Sequence, residues 1–192
     1  MGSKGILALG KTMQIIARRM TMDFLKLAEE RYSVRKYSTR PVEKEKIEAI
    51  LKAASLAPTG CNNQPQRILV VDDPAVLEKI RKCTTCQFGA PVTFVICYDK
   101  DACWVNPEGN GIGVTDASIV TAYMQLAAAE QDLGTCWVAY FDAAKLVEEL
   151  KIPKNFKPVA LLPLGYPADD AKPAHLHFER RSADEFTWKN HF

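Results

Sequence analysis

The sequence predicts one domain of the α/β or α+β class, and three observations carry that expectation. Its 192 residues suffice for a real core but are short for two. Hydrophobic residues at 47% and charged residues at 25% lie in the ordinary globular range. Helix-like and strand-like patterns alternate along the chain, with no internal repeat and no long linker.

Residues 1–20, "MGSKGILALGKTMQIIARRM", hold Lys4, Lys11, Arg18 and Arg19 and no acid. They read as a leader, an over-extended start or a basic amphipathic extension, with Met20 or Met22 as a natural start and the domain covering 21–192. Lys11 interrupts the apolar run and no small-residue cleavage site follows, so a secretory signal is the weaker reading. With those four residues set aside, 21 of the 25 basic residues face 23 acids, a net of −2 rather than the formal +2. Such a body does not draw nucleic acid. No stretch approaches the roughly 18 apolar residues of a membrane span. The expectation is a cytoplasmic protein whose six cysteines are reduced thiols.

Taken in order, residues 22–30 read as a short helix and "RYSVRKY" as extended structure. Over 43–57 the apolar Ile47, Ile50, Leu51 and Ala54 recur at spacings of three and four, with acids in the first turn and Pro58 as the stop. "RILVVDD" reads as a buried strand, 74–82 as a helix and "VTFVICYD" as another buried strand. After a glycine-rich loop, Thr115 is the expected N-cap of a helix running to Leu133, with Gly134 as its stop. That helix is apolar on nearly every side, as expected of one buried in its own core or against another subunit. "TCWVAY" is read as a strand, 142–150 as a helix and "KPVALLPLGYP" as a last strand. The polar tail 168–192 has scattered aromatics and little periodicity, suited to wrapping something.

Three stretches carry chemistry. In "RYSVRKY" alternation puts Arg31, Ser33 and Arg35 on one face, with Tyr32 and Val34 opposite. Two guanidiniums and a hydroxyl suit a phosphate; a solvated edge strand is the other reading. "PTGCNNQPQR" presents Asn and Gln amides whose paired donors and acceptors match a heterocycle such as isoalloxazine, in a loop stiffened by prolines; the alternative is a polar surface turn. "ERRSADEF" adds Arg180 and Arg181, a pair that taken alone reads as surface.

Together these stretches resemble the FMN-dependent nitroreductase family: an Arg, Ser, Arg opening, a Pro, Thr, Asn, Gln, Pro loop, a long helix in "TDASIVTAYMQLAAAEQDLGTCWV", then "LLPLGYP" and a late basic pair. The resemblance spans about residues 22–188. It implies an α+β fold with a mixed, mainly antiparallel sheet flanked by helices, in an interlocked homodimer with exchanged C-terminal segments. It implies that Arg31, Ser33 and Arg181 hold the FMN phosphate, with Arg180 as the alternative to Arg181, and that Tyr32 belongs to the same cofactor-binding set. Arg35 falls near flavin N1 and O2, where a cation stabilises the charge of reduction. Pro58, Thr59, Gly60, Asn62 and Gln64 form the loop that crosses to the partner's cofactor. Backbone groups around Val138, Ala139 and Tyr140 approach N5. NADH or NADPH would deliver hydride to N5 and a small, electron-poor acceptor, nitroaromatic or quinone-like, would then take the electrons from the same place, with no catalytic side chain required.

Two departures bear on substrate. Gln66 replaces an aromatic residue frequent after the Gln-Pro pair, and only about 16 residues stand between the strand ending at Asp99 and the next helix, so "DACWVNPEGNGIGV" with Trp104 would be a short lid. "GNGIGV" does not meet the dinucleotide register. Cys83 and Cys86 form one CxxC without a second close ligand pair, and His175 and His177 have no evident partner ligands. The rival readings are specialised flavin chemistry, dehalogenation or flavin breakdown, and a metal or thiol module on Cys83 and Cys86.

Overall fold

The computed structural model describes residues 23–192, so the leader assigned to 1–20 lies outside the described residues. Among the described residues, Asp23 caps the first helix, α1 (Phe24–Glu30), by accepting the Leu25 N–H at 3.0 Å. Helix α2 (Lys44–Leu56) follows the apolar spacing that predicted it and buries Ile50 and Ala54.

A four-stranded antiparallel sheet forms the centre, in the order β1-β2-β4-β3. Strand β1 (Gln66–Val71) pairs with β2 (Val92–Asp99), and β2 pairs with β4 (Phe156–Gly165) through a register shift at Ile96/Cys97. The short β3 (Gly134–Thr135) closes the far edge by pairing Gly134 with Gly165. A parallel bridge from Ser33 to Thr135 makes the sheet mixed, though mainly antiparallel. Both faces are covered, and the two-residue period of β2 feeds both. Phe94 and Ile96 pack with α2, Leu162 and the long helix α4 (Gly113–Glu130). Val95 and Cys97 pack on the other side with Leu161, α3 (Pro74–Arg81) and α5 (Ala143–Leu150).

Several expectations need correction. Helix α4 starts at Gly113 without a side-chain cap, so Thr115 is not its N-cap. Gly113 packs on the Tyr98 ring, where a Cβ would lie 2.0 Å from Cδ2; close packing sets this start more than capping chemistry. The helix ends at Glu130 and the left-handed residue after it is Asp132, with φ of 61°, so Gly134 is not the stop. Within one chain α4 buries Ala117, Val120, Met124 and Ala128 and leaves Val114 and Tyr123 exposed. Strand β1 is a half-buried edge rather than a buried strand. "TCWVAY" pairs only at Thr135 and through a bridge from Val138 to Leu161; its apolar residues are there because Cys136 and Val138 enter the second core. The tail holds two short 3-10 turns, His175–His177 and Ala183–Glu185, and exposes Leu176, Phe178, Phe186, Trp188 and Phe192. No described helix is long and apolar enough to cross a membrane.

Candidate functional site

A cationic ridge grows out of the end of α1. Arg31 donates its N–H to Leu27 O at 3.0 Å and leaves the helix with φ −65° and ψ 124°, so the chain runs directly into extended structure. Val34 anchors that segment: its N–H donates to Thr135 O at 2.9 Å and its side chain is 1% exposed. Gly134 makes this approach feasible, because a Cβ there would lie 2.4 Å from Val34 Cγ2. With Val34 turned inward, Arg31, Ser33 and Arg35 all act on the Cys136 thiol. Burial pushes that thiol up, against the pull of Arg35, a hydrogen bond with Ser33 and, more weakly, Arg31.

The tail brings a third guanidinium to this ridge. Burial, and then the like charge of Arg180, hold Arg31 below its ordinary value, with Cys136 acting weakly the other way. Arg180 is braced by its donations to Leu176 O at 3.1 Å and Glu179 O at 2.8 Å, with His177 Nδ1 at 3.5 Å from Nη2. The His177 ring meets Tyr32 edge-on at 6.2 Å between centroids. Both arginines of the late basic pair are exposed, and Arg180 is the one that couples to Arg31. A desolvated cation whose charged neighbour is another cation loses stability until an anion joins them. A phosphate matches that need.

The row of amides forms a second centre. Thr59 is extended, Gly60–Asn62 make one 3-10 turn, and Cys61, Asn62 and Gln64 take φ of 49°, 56° and 50°, in the left-handed region. Three such non-glycine residues in four positions are strained and persist only when their surroundings fix them. Thr59 Oγ1 accepts the Gln64 N–H at 3.1 Å, and Asp116 Oδ1 accepts the Gly60 N–H at 2.9 Å. Gly60 also lies so close to the Trp104 segment that a Cβ would be 2.6 Å from Ile112 Cδ1 and 3.1 Å from Trp104 Cβ. Asn62 and Gln64 remain exposed, with Gln64 Nε2 donating to Asn62 O at 3.5 Å.

The segment read as a short lid is a small hairpin. Val105 bridges Gly111, Ile112 donates to Trp104 O at 3.0 Å, and Asn106 closes the turn through Asn110. Trp104 is half-buried in its wall.

Of the three residues expected to approach flavin N5, Val138 has both backbone groups engaged with Leu161 at 2.9 Å. The Tyr140 carbonyl accepts from Thr84 Oγ1 at 2.5 Å, and Ala139 is exposed between them. Among the described residues, no hydrogen bond, ion pair or ring contact joins the amide row to the arginine ridge. Cys83 is buried in the second core, with its thiol 3.3 Å from Lys79 O and pushed up by burial; burial likewise pushes Cys97 up to about 11. The described residues contain no group of three or more His, Cys, Asp or Glu arranged for a metal ion.

Sequence reasoning did not single out Asp116. Its partner, Gly60, lies 56 positions away, and no local pattern signals the pair.

Comparison with known proteins bears on the family. The model described as "Nitroreductase family" matches residues 28–90 and 82–166. A nitroreductase family protein from Clostridium difficile superposes with a TM-score of 0.84 at 37% identity, covering 89% of this chain and 100% of that one. A second protein from that organism, described as an FMN-dependent nitroreductase, reaches 0.73 at 33% identity, covering 88% of this chain and 100% of its own. A Bacillus subtilis protein named FMN reductase [NAD(P)H] is 28% identical over 166 residues, which are 77% of this chain and 67% of that protein. With its α+β sheet, its order of motifs and these matches, the chain belongs to the nitroreductase family.

Proposed function

We propose that this protein is a homodimeric, FMN-dependent oxidoreductase that uses NADH or NADPH to reduce an electron-poor organic acceptor, nitroaromatic or quinone-like, in two half-reactions at one place. The observation that carries the reading is the cationic ridge: Arg31, half-buried at the end of α1, with Ser33 and Arg35 on the same extended stretch and Arg180 beside it. That arrangement fits the phosphate of a flavin mononucleotide, and the similar Clostridium difficile and Bacillus subtilis proteins are named for that cofactor.

Arg31, Ser33 and Arg180 would hold the phosphate, with Arg181 as the alternative, and Tyr32 would line the same end. Arg35, tethered by its donation to Ser33 O at 3.4 Å, would face the pyrimidine side of the ring and favour negative charge there. Pro58, Thr59, Gly60, Asn62 and Gln64 would line the ring, their amides supplying donors and acceptors in a shape fixed beforehand. Because Val138 is closed off by Leu161, the backbone contribution near N5 falls to Ala139 and the Tyr140 N–H. When bound, the flavin supplies the capacity to take a hydride from the nicotinamide and pass electrons to the acceptor.

What one chain leaves open supports the dimer. Val114 and Tyr123 on α4, Leu56 on α2 and the aromatic residues of the tail are exposed. In that dimer the amide row of one chain would complete the site whose phosphate end is the partner's arginine ridge. Titrating the purified protein with FMN tests the reading. Quenching of flavin fluorescence and a yellow protein that oxidises NADH or NADPH with quinones are expected. A protein that stays colourless and leaves flavin fluorescence unchanged overturns it.

A further inference from the structure

The amide row is held from behind by one carboxyl. Asp116 is 1% exposed; its Oδ1 takes the Gly60 N–H, while its Oδ2 is buried and has no hydrogen-bond partner. A buried carboxyl oxygen without a donor weakens a fold, and such groups call for an explanation other than stability. The place of this one supplies it. Gly60, the residue Asp116 holds, is also the one pressed against Ile112 and Trp104. The row, the Trp104 hairpin and the start of α4 therefore meet at this side chain. The three left-handed residues that follow Gly60 within four positions need external restraint: Arg67 holds the far end through Gln64 O at 3.1 Å, and Asp116 holds the near end through Gly60.

We propose that Asp116 is a positioning residue for the ring end of the flavin site: by gripping Gly60 it fixes the row against the hairpin, so that the exposed amides meet the ring in a single geometry. The inference rests on the flavin reading given above. Because Asp116 acts on the ring end and the arginine ridge on the phosphate end, the two roles separate experimentally.

Apoprotein carrying Asp116→Ala or Asp116→Asn is titrated with FMN and with riboflavin, which lacks the phosphate. Asp116→Ala removes the acceptor and is expected to weaken both flavins by the same factor, about tenfold, as for loss of one buried hydrogen bond. The ratio of the two affinities stays at the wild-type value. Asp116→Asn keeps a carbonyl acceptor for Gly60 and turns the orphaned oxygen into an amide donor; its affinities stay within about threefold of wild type. Folded Asp116→Ala with wild-type affinity overturns the inference, as does a loss confined to FMN, or an Asn variant as weak as the Ala variant. Should Asp116→Ala not fold, Gly60→Ala takes its place, since its Cβ pushes the row off Ile112; an equal loss for both flavins, relieved by adding Ile112→Val, supports the inference, and any other pattern overturns it. Wild type that binds neither flavin overturns the cofactor reading and this inference with it. Wild type that binds both while Asp116→Ala is unaffected overturns this inference alone.

Discussion

Arg31→Met separates a functional cation from a structural one. Methionine keeps an unbranched stem over the apolar surface and removes the charge. In the apoprotein that charge is costly, because burial and Arg180 both act against it. Its removal is therefore expected to leave the apoprotein melting at or above the wild-type temperature. In the complex, each hydrogen bond to a charged group contributes about 1.5–3 kcal/mol, so losing one weakens FMN roughly ten- to a hundredfold. Riboflavin, without the phosphate, loses little. The assay is paired: flavin titration by fluorescence quenching, and thermal unfolding of the apoprotein by circular dichroism. Arg180→Met repeats the pattern at smaller size, and Arg181→Met behaves as wild type. An unchanged FMN affinity for Arg31→Met refutes the assignment. So does an equal loss for both flavins, or an apoprotein melting several degrees lower.

Gly113→Ala should destabilise the fold by about 1–3 kcal/mol in chemical denaturation despite alanine's helix preference, because its Cβ would collide with the Tyr98 ring; in a Tyr98→Leu background the cost should shrink. The Glu43 carboxyl is held near 2, first by the Tyr166 hydroxyl at 2.7 Å, then by its own backbone and Arg40. A folded-state value below the ordinary 4.5 means that its contribution is present above about 4.5 and is lost as pH falls toward 2. Urea titrations should therefore show Tyr166→Phe less stable than wild type at pH 6, with the gap narrowing toward pH 3; a pH-independent gap counts against the pairing. A chain ending at residue 167 should sediment as a monomer and retain little flavin, and a dimer with full affinity would refute the role given to the tail.

What the sequence reveals about this protein depends on how far apart the interacting residues lie. Helix α2 and strand β2 are readable because Ile47, Ile50, Leu51 and Ala54, or the run from Val92 to Cys97, carry their own periodicity. The arginine ridge is readable for the same reason: alternation is local, and Val34 has only to point inward. The start of α4 is not, because Thr115 offers good capping chemistry while the ring of Tyr98, fifteen positions earlier, requires the glycine at 113. Gly134 is misread as a helix stop for a similar reason; Val34, a hundred positions away, explains it better. In the candidate site, the row of amides shows in composition, but its grip by Asp116 and the closure of Val138 by Leu161 are tertiary events. The choice of Arg180 over Arg181 depends on the 3-10 turn at His175–His177, which has no periodic signal to announce it.

The free flank of β1 has a consequence for how the protein is made. An edge strand with unpaired backbone groups and an exposed Leu69 is a template for any extended chain that reaches it first. Arg67 blunts one end by donating to the carbonyls of Gln64 and Gln66, but Leu69 beyond it is left exposed. Newly synthesised copies therefore race between meeting one another and clumping, and slow, cool expression or co-supply of flavin should raise the yield of native protein.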